Sequence, residues 1–330
     1  MIHRREISYL GLAILVALVP LVVTDNYLLH LFIMTSIWVM LSTNFNVILS
    51  AGQLSLGQIA FFGIGAYTSG ILAVKLQVPF LAAMLAGGVL SALMGLFIGR
   101  ITLKMRGSHF VLVTFAFGEI CRLVATNWVK LTNGPMGLRN IPPPAIEFTE
   151  TFRFDFTDFR SQCYLALVLT LATVYVAYRL RYSRYGRAFT ALKSAEDLAE
   201  SVGISHYKFV TMAVLTSTFL TGLTGSFYAH YTALVSPEIF AFANMVNLLI
   251  MVIGGGRNSI AGPMVGALVF TLLPEFLRAF QVYRMLLFGA LLTLIVIFMP
   301  QGIVPRLWAL WKRVFGDREK KESFESVRRS

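Results

Sequence analysis

The chain has 330 residues, 57% of them hydrophobic and only 13% charged, with a mean hydropathy of +0.72. Soluble domains carry about 25% charged residues, so the composition excludes an ordinary soluble protein and points to a polytopic membrane protein. The net charge of +12 does not mark a nucleic-acid binder, because the basic residues sit in short segments between apolar runs.

Ten apolar runs of span length follow in order, near 7–24, 27–49, 57–76, 79–103, 109–130, 162–181, 208–232, 240–256, 259–278 and 283–299. The first has the layout of a signal peptide but no small-x-small cleavage site, and is expected to stay as a helix. Those near 57–76 and 240–256 are the two expected to break or to enter the membrane part-way. With the N-terminus inside, the segments 1–6, 50–56, 100–108, 179–208, 257–258 and 300–330 are cytoplasmic and hold 20 of the 28 Lys and Arg. Seven lie on the opposite side, and Arg122 falls within a span. The expected fold class is therefore all-α: a transmembrane helical bundle of about ten spans with both termini inside. It forms one domain over 1–330, with an external loop at 131–160, a cytoplasmic loop at 182–207 and a basic tail at 306–330.

The external loop combines Gly134-Pro135, Pro142-Pro143-Pro144 and acids alternating with phenylalanines, as in a cap over the spans or a docking surface. In the tail, Trp308 and Trp311 precede Lys312, Arg313, Arg318, Lys320 and Lys321, a pattern suited to an interface with anionic lipid.

Gly52 to Gly70 holds five glycines with Gln53, Ser55 and Gln58 among them, and Asn46 lies just before. Glycine lets helices approach closely or break beside a cavity, so Gln53, Ser55 and Gln58 are candidates for a translocation path. Gly95-x-x-x-Gly99 and Gly262-x-x-x-Gly266 are packing motifs. Gly254-Gly255-Gly256-Arg257-Asn258-Ser259 lacks the Gly-Lys-Ser/Thr ending of a phosphate loop and reads as a short turn. Glu119 and Arg122 lie inside the fifth span at i, i+3, where they can pair, and they join the path candidates. The five histidines and two cysteines have no metal-ligand spacing, and no nucleophile–base arrangement is present. No cofactor or metal is expected.

The run Arg184–Lys208 is the exception to the apolar chain. Phe189, Leu192, Ala195, Leu198, Ala199 and Val202 recur at helical spacing among charged residues, and Gly203 follows where a helix would end. One amphipathic helix with an apolar face to bury is expected.

Four stretches carry a family resemblance: NFNVILSAGQLSLGQIAFFGIGAY (44–67), GSHFVLVTFAFGEICRLVATNWVKLTNGPMGL (107–138), RYGRAFTALKSAEDLAESVGI (184–204) and LLIMVIGGGRNSIAGPMVGALVF (248–270), the last with Pro274-Glu275 and Pro300-Gln301-Gly302 after it. The chain resembles the LivM-type permease subunits of bacterial branched-chain amino acid ABC importers over roughly 35–305. The third stretch resembles the EAA loop of such importers. Alignment on Gly203 puts Asp197, Leu198 and Ala199 where that motif has Glu-Ala-Ala, so the acid is shortened and one alanine is lost.

The resemblance implies a multi-pass protein of the bacterial inner membrane, a transport subunit rather than an enzyme. It implies the ten-helix importer fold with inverted-topology halves. It also implies a second, LivH-like permease subunit, two LivG/LivF-like cytoplasmic ATPases and a periplasmic substrate-binding protein. Leu192, Ala195, Glu196, Asp197, Ala199, Glu200 and Gly203 then form the coupling surface, with the stripe Leu192, Ala195, Ala199 and Val202 fitting an ATPase groove. Two rivals remain at this stage: a permease of the urea and short-chain amide branch, and an ion-coupled secondary transporter. The second needs ionisable sites at the midplane, and Glu119 beside Arg122 is poorly suited to relay protons.

Overall fold

A backbone in hydrocarbon must satisfy its own hydrogen bonds, and a helix does so within one segment. The computed structural model describes residues 20–21, 23, 25–102, 108–149, 152–299 and 302–306. The N-terminal basic residues, nearly all of the first apolar run and the tail beyond 306 lie outside these.

Five long helices come first: α1 (Asn26–Ser50), α2 (Gln58–Leu76), α3 (Phe80–Thr102), α4 (Ser108–Asn127) and α5 (Phe159–Tyr182). Two short helices follow, α6 (Arg184–Ser194) and α7 (Glu196–Ser201), and then a long one, α8 (His206–Thr232). The six long helices are each long and apolar enough to cross a membrane. Three shorter helices complete the set: α9 (Phe242–Gly255), α10 (Ala261–Phe276) and α11 (Arg284–Phe298). The protein is thus a helical, polytopic membrane protein.

Neither of the two runs expected to break does so: the run near 57–76 is one unbroken helix, α2, and the run near 240–256 is one short helix, α9, with a 3-10 turn, Pro237–Phe240, ahead of it. The 14 residues of α9 give a helix of about 21 Å, short of the ~30 Å hydrocarbon core.

α8 is the hub, packed most extensively on α3 and α2. Small residues permit this. Gly65 of α2 meets the backbone of Gly222 on α8, Gly225 meets the Phe62 carbonyl, and Gly95 of α3 faces Thr218. Hydroxyls stitch the same seams: Ser226 donates to the carbonyls of Gly222 (2.9 Å) and Gly65 (3.1 Å), and Ser91 to that of Phe61 (2.9 Å). On the other flank α1 packs on α5, α10 and α8. α9 and α10 form a hairpin in which Gly255 meets Gly262 and Gly266 meets the Met251 carbonyl. Of the segment expected to be a short turn, Gly254 and Gly255 instead end α9, and the turn runs from Gly256 to Ile260.

At the far end of α8 the 131–160 loop folds onto the bundle. Its strands are β1 (Leu138–Arg139), β2 (Ala145–Thr149) and β3 (Phe152–Asp155); β2 and β3 pair as a hairpin. β1 pairs antiparallel with β4 (Leu234–Val235), just after α8. Leu138 and Ile141 are buried, and Ile141 sits against Gly70. His230 of α8 fastens the loop, with Nδ1 2.8 Å from the Pro142 carbonyl and Nε2 2.8 Å from Ser69 Oγ.

Candidate functional site

The charged run beyond α5 is not the single helix that its periodicity predicts. Ser183 caps α6, its hydroxyl accepting from the Tyr185 N–H at 3.1 Å. The chain then breaks at Ala195, whose backbone is extended (φ −157°, ψ 94°), and resumes as α7. α7 ends in a Schellman turn: the Gly203 N–H donates to the Glu200 carbonyl and the Ile204 N–H to that of Ala199, both at 3.0 Å. Gly203 itself has φ +88°, a left-handed conformation that glycine adopts without strain. The result is an elbow of two short helices.

The elbow uses its apolar residues in two directions. Phe189, Leu192 and Ala199 are buried with Val47, Ala51, Phe110, Val210 and Val214 of the long helices. Leu192 and Ala199 therefore pack on the chain's own core, not outward as a groove-filling stripe requires. Leu198 of α7 and Val202, the residue just after it, are instead 68% and 72% exposed. Ala195, Asp197 and Glu200 are exposed beside them, and Glu196 is half-buried. Glu196 Oε1 lies 3.1 Å from His206 Nδ1, a close polar contact without hydrogen-bond alignment, which ties the start of α7 to α8.

Two further connections converge on α6. Lys193 Nζ donates to Asn258 Oδ1 at 3.2 Å, and Arg181 donates to the Asn258 backbone carbonyl. Gly52, in the α1–α2 connection, sits against the Lys193 backbone, with room for a methyl only at 3.4 Å. Burial, together with the Arg257 and Arg181 charges, holds the Lys193 ammonium below the ordinary lysine value. The elbow thus touches the α1–α2 and α9–α10 connections at once.

The path candidates are dispersed. Gln53 is half-buried, and Ser55 is buried, its hydroxyl accepting from the Gly57 N–H at 3.3 Å. Thr114 of α4 pins this segment by accepting from the Leu56 N–H at 3.1 Å. Gln58 is wholly enclosed; its Nε2 donates to Ser217 (3.0 Å) and Thr221 of α8, while its Oε1 has no partner. Glu119 and Arg122 do pair, Nε lying 2.9 and 3.0 Å from the two carboxylate oxygens, and both side chains are about 40% exposed. No group of three potential metal ligands gathers among the described residues.

The family of branched-chain amino acid transport system permease components matches residues 27–296. The chain is 32% identical over 291 residues to the high-affinity branched-chain amino acid transport permease LivM of Escherichia coli K12, covering 82% of this chain and 68% of that one. The chain belongs to this permease family. It is also 26% identical over 189 residues to the E. coli K12 permease LivH, covering 54% of this chain and 59% of that one. To the fructose import permease FrcC of Rhizobium meliloti it is 26% identical over 232 residues, covering 68% of this chain and 62% of that one. No solved structure matches it.

As a permease, the chain is a transport subunit and not an enzyme. Its sequence reading overlooked Asn258 and the hydroxyls Ser217 and Thr221, which carry cross-links in the structure. Asn258 is one polar residue in a turn, and only its position opposite Lys193 gives it a role. Ser217 and Thr221 are four residues apart on α8 and share one face, a spacing visible in the sequence.

Proposed function

We propose that this permease is the membrane-spanning subunit of an ATP-driven importer of branched-chain or related amino acids in the bacterial inner membrane. The observation that carries the reading is the 32% identity to LivM across 82% of the chain. The membership of LivH in the same set of relatives supports a partnership with a second, LivH-like permease. Two LivG/LivF-like ATPases then bind at the elbow, and a periplasmic binding protein delivers cargo at the opposite face. The full topology is ten spans with both termini inside, arranged as inverted halves.

α6 and α7 form the coupling element. Leu198 and Val202 are its outward anchors, with Asp197 and Glu200 at the rim. Ala195 and Glu196 shape the bend and Gly203 closes it. Leu192 and Ala199 root the elbow in the bundle, so that ATPase movement reaches the α1–α2 connection through Gly52 and the α9–α10 turn through Asn258. Of the path candidates Gln53, Ser55, Gln58, Glu119 and Arg122, the α4 pair is open to the outside of the bundle while Gln58 is enclosed.

The test is reconstitution of this permease with its second permease, ATPases and binding protein in proteoliposomes. Leucine, isoleucine or valine uptake that requires ATP and all partners is the expected result. Uptake of urea or short-chain amides in place of these amino acids would assign the other cargo branch. Uptake that persists without the ATPases would overturn the reading in favour of an ion-coupled carrier.

A further inference from the structure

α4 is the least enclosed of the six long helices: 17% of its apolar stretch is buried, against 72% for α1. Its inward stripe is clear. Phe110, Thr114 and Ala125 are buried, and Phe117 and Cys121 pack on the core. Phe117 meets Phe61 of α2 at 5.5 Å between ring centroids, and Thr114 holds the Leu56 N–H. At 100° per residue, the positions opposite this stripe are Leu112, Ala116, Glu119 and Leu123. Leu112, Ala116 and Leu123 are exposed and Glu119 is half-exposed. The face pointing away from the bundle therefore has a carboxylate at its centre, paired with Arg122.

Glu119 is the twelfth of the 20 residues of α4. That places the pair within about 7 Å of the helix midpoint, where lipid offers nothing to the unused lone pairs and N–H groups of an ion pair. The contrast with α3 is direct. Apart from Arg100 in its last turn, its exposed residues, among them Leu81, Leu85, Val89, Leu93, Phe97 and Ile101, are all apolar, as a lipid-facing surface requires.

We propose that the outward face of α4, centred on Glu119, is the seam against which the second permease chain packs in the membrane. The occupant is a transmembrane helix with polar groups at mid-depth that can hydrogen-bond the ion pair. This deepens the importer reading and rests on it, because it requires a second permease in the complex.

The experiment uses the complete transporter in native membranes. Leu123→Cys is labelled with a thiol-reactive benzophenone and irradiated, and Val89→Cys on α3 serves as the lipid-facing control, with unsubstituted protein reporting labelling at Cys121 and Cys163. The expected result is an adduct from Leu123→Cys at the combined mass of the two permeases, and lipid adducts only from Val89→Cys. Lipid adducts alone from Leu123→Cys, or a cross-link within this chain, would overturn the seam. Composition of the purified complex separates the two levels: if ATPases and a second permease are present but the cross-link is absent, the seam fails and the importer reading stands. A second measurement uses Glu119→Ala, expected to lose the second permease from the purified complex, with the double variant Glu119→Ala/Arg122→Ala recovering part of it because no lone charge is left at the seam. Unchanged recovery with Glu119→Ala would also overturn the proposal.

Discussion

Leu192 and Leu198 stand six residues apart and face opposite ways. Leu192 is rooted among Phe110, Val210 and Val214, and Leu198 is open to solvent. The chain breaks between them, at Ala195. The two leucines should therefore fail differently. Leu198→Asp or Val202→Asp should leave the folded chain intact and weaken ATPase co-purification by about tenfold or more, as for the loss of an interface anchor. Leu192→Ala should instead cost about 2–5 kcal/mol locally, seen as easier proteolysis of the elbow. Equal ATPase recovery from Leu198→Asp and the parent would remove α7 from the interface.

Gly203 has φ +88° and nothing within 4 Å of where a side chain would begin. Its requirement is conformational and not steric. Gly203→Ala should cost about 1–2 kcal/mol, and Gly203→Asn less, because asparagine tolerates the left-handed region. Gly203→Val should be the worst of the three. Transport rates and elbow proteolysis measured across the series should follow that order; a ranking by side-chain volume alone would point to crowding instead.

Asn258 accepts from both Lys193 and Arg181 and so joins the elbow to the α9–α10 turn. Asn258→Ala should preserve assembly with the ATPases yet lower transport per ATP hydrolysed. The readout is the ratio of uptake to hydrolysis in proteoliposomes. A proportional fall in both would mean that Asn258 serves assembly only.

Gly65 and Gly222 touch through their backbones, and a methyl group on either has no free space. Gly65→Ala should lose about 1–3 kcal/mol through overpacking. Gly289→Ala on α11, where among the described residues nothing beyond the helix's own backbone lies within 4 Å of an added side chain, should be neutral or gain about 0.5–1 kcal/mol. Thermal unfolding of the purified chain in detergent compares the two, and similar midpoints would show that the α2–α8 seam relaxes freely.

The long helices were legible because hydrocarbon imposes a single rule on every residue. The runs read at 27–49, 79–103 and 208–232 became Asn26–Ser50, Phe80–Thr102 and His206–Thr232. The elbow was legible only in outline. Ala195 is a strong helix former, so nothing local announces the break. A straight helix would also set Leu192 and Ala199, seven residues apart, on one face, so the apolar spacing gives no sign of the break either. Periodicity also cannot distinguish an apolar residue facing its own core from one left for a partner, and so Leu192 and Val202 looked alike. Gln58 illustrates the same limit for polar residues. Beside five glycines it reads as a path candidate, and the sequence gives no sign that its Nε2 donates to Ser217 and Thr221, whose positions along α8 are known only once the helices are packed.

The backbone contacts among α2, α3 and α8 also decide where this permease can bend. Backbones in contact leave little room for rearrangement, so these three helices are the natural fixed frame. On the coupling role proposed above, force arriving at the elbow passes around that frame, into α1 by way of Gly52 and into α9 and α10 by way of Asn258. On that reading the hinges belong in the connections at 51–57 and 256–260.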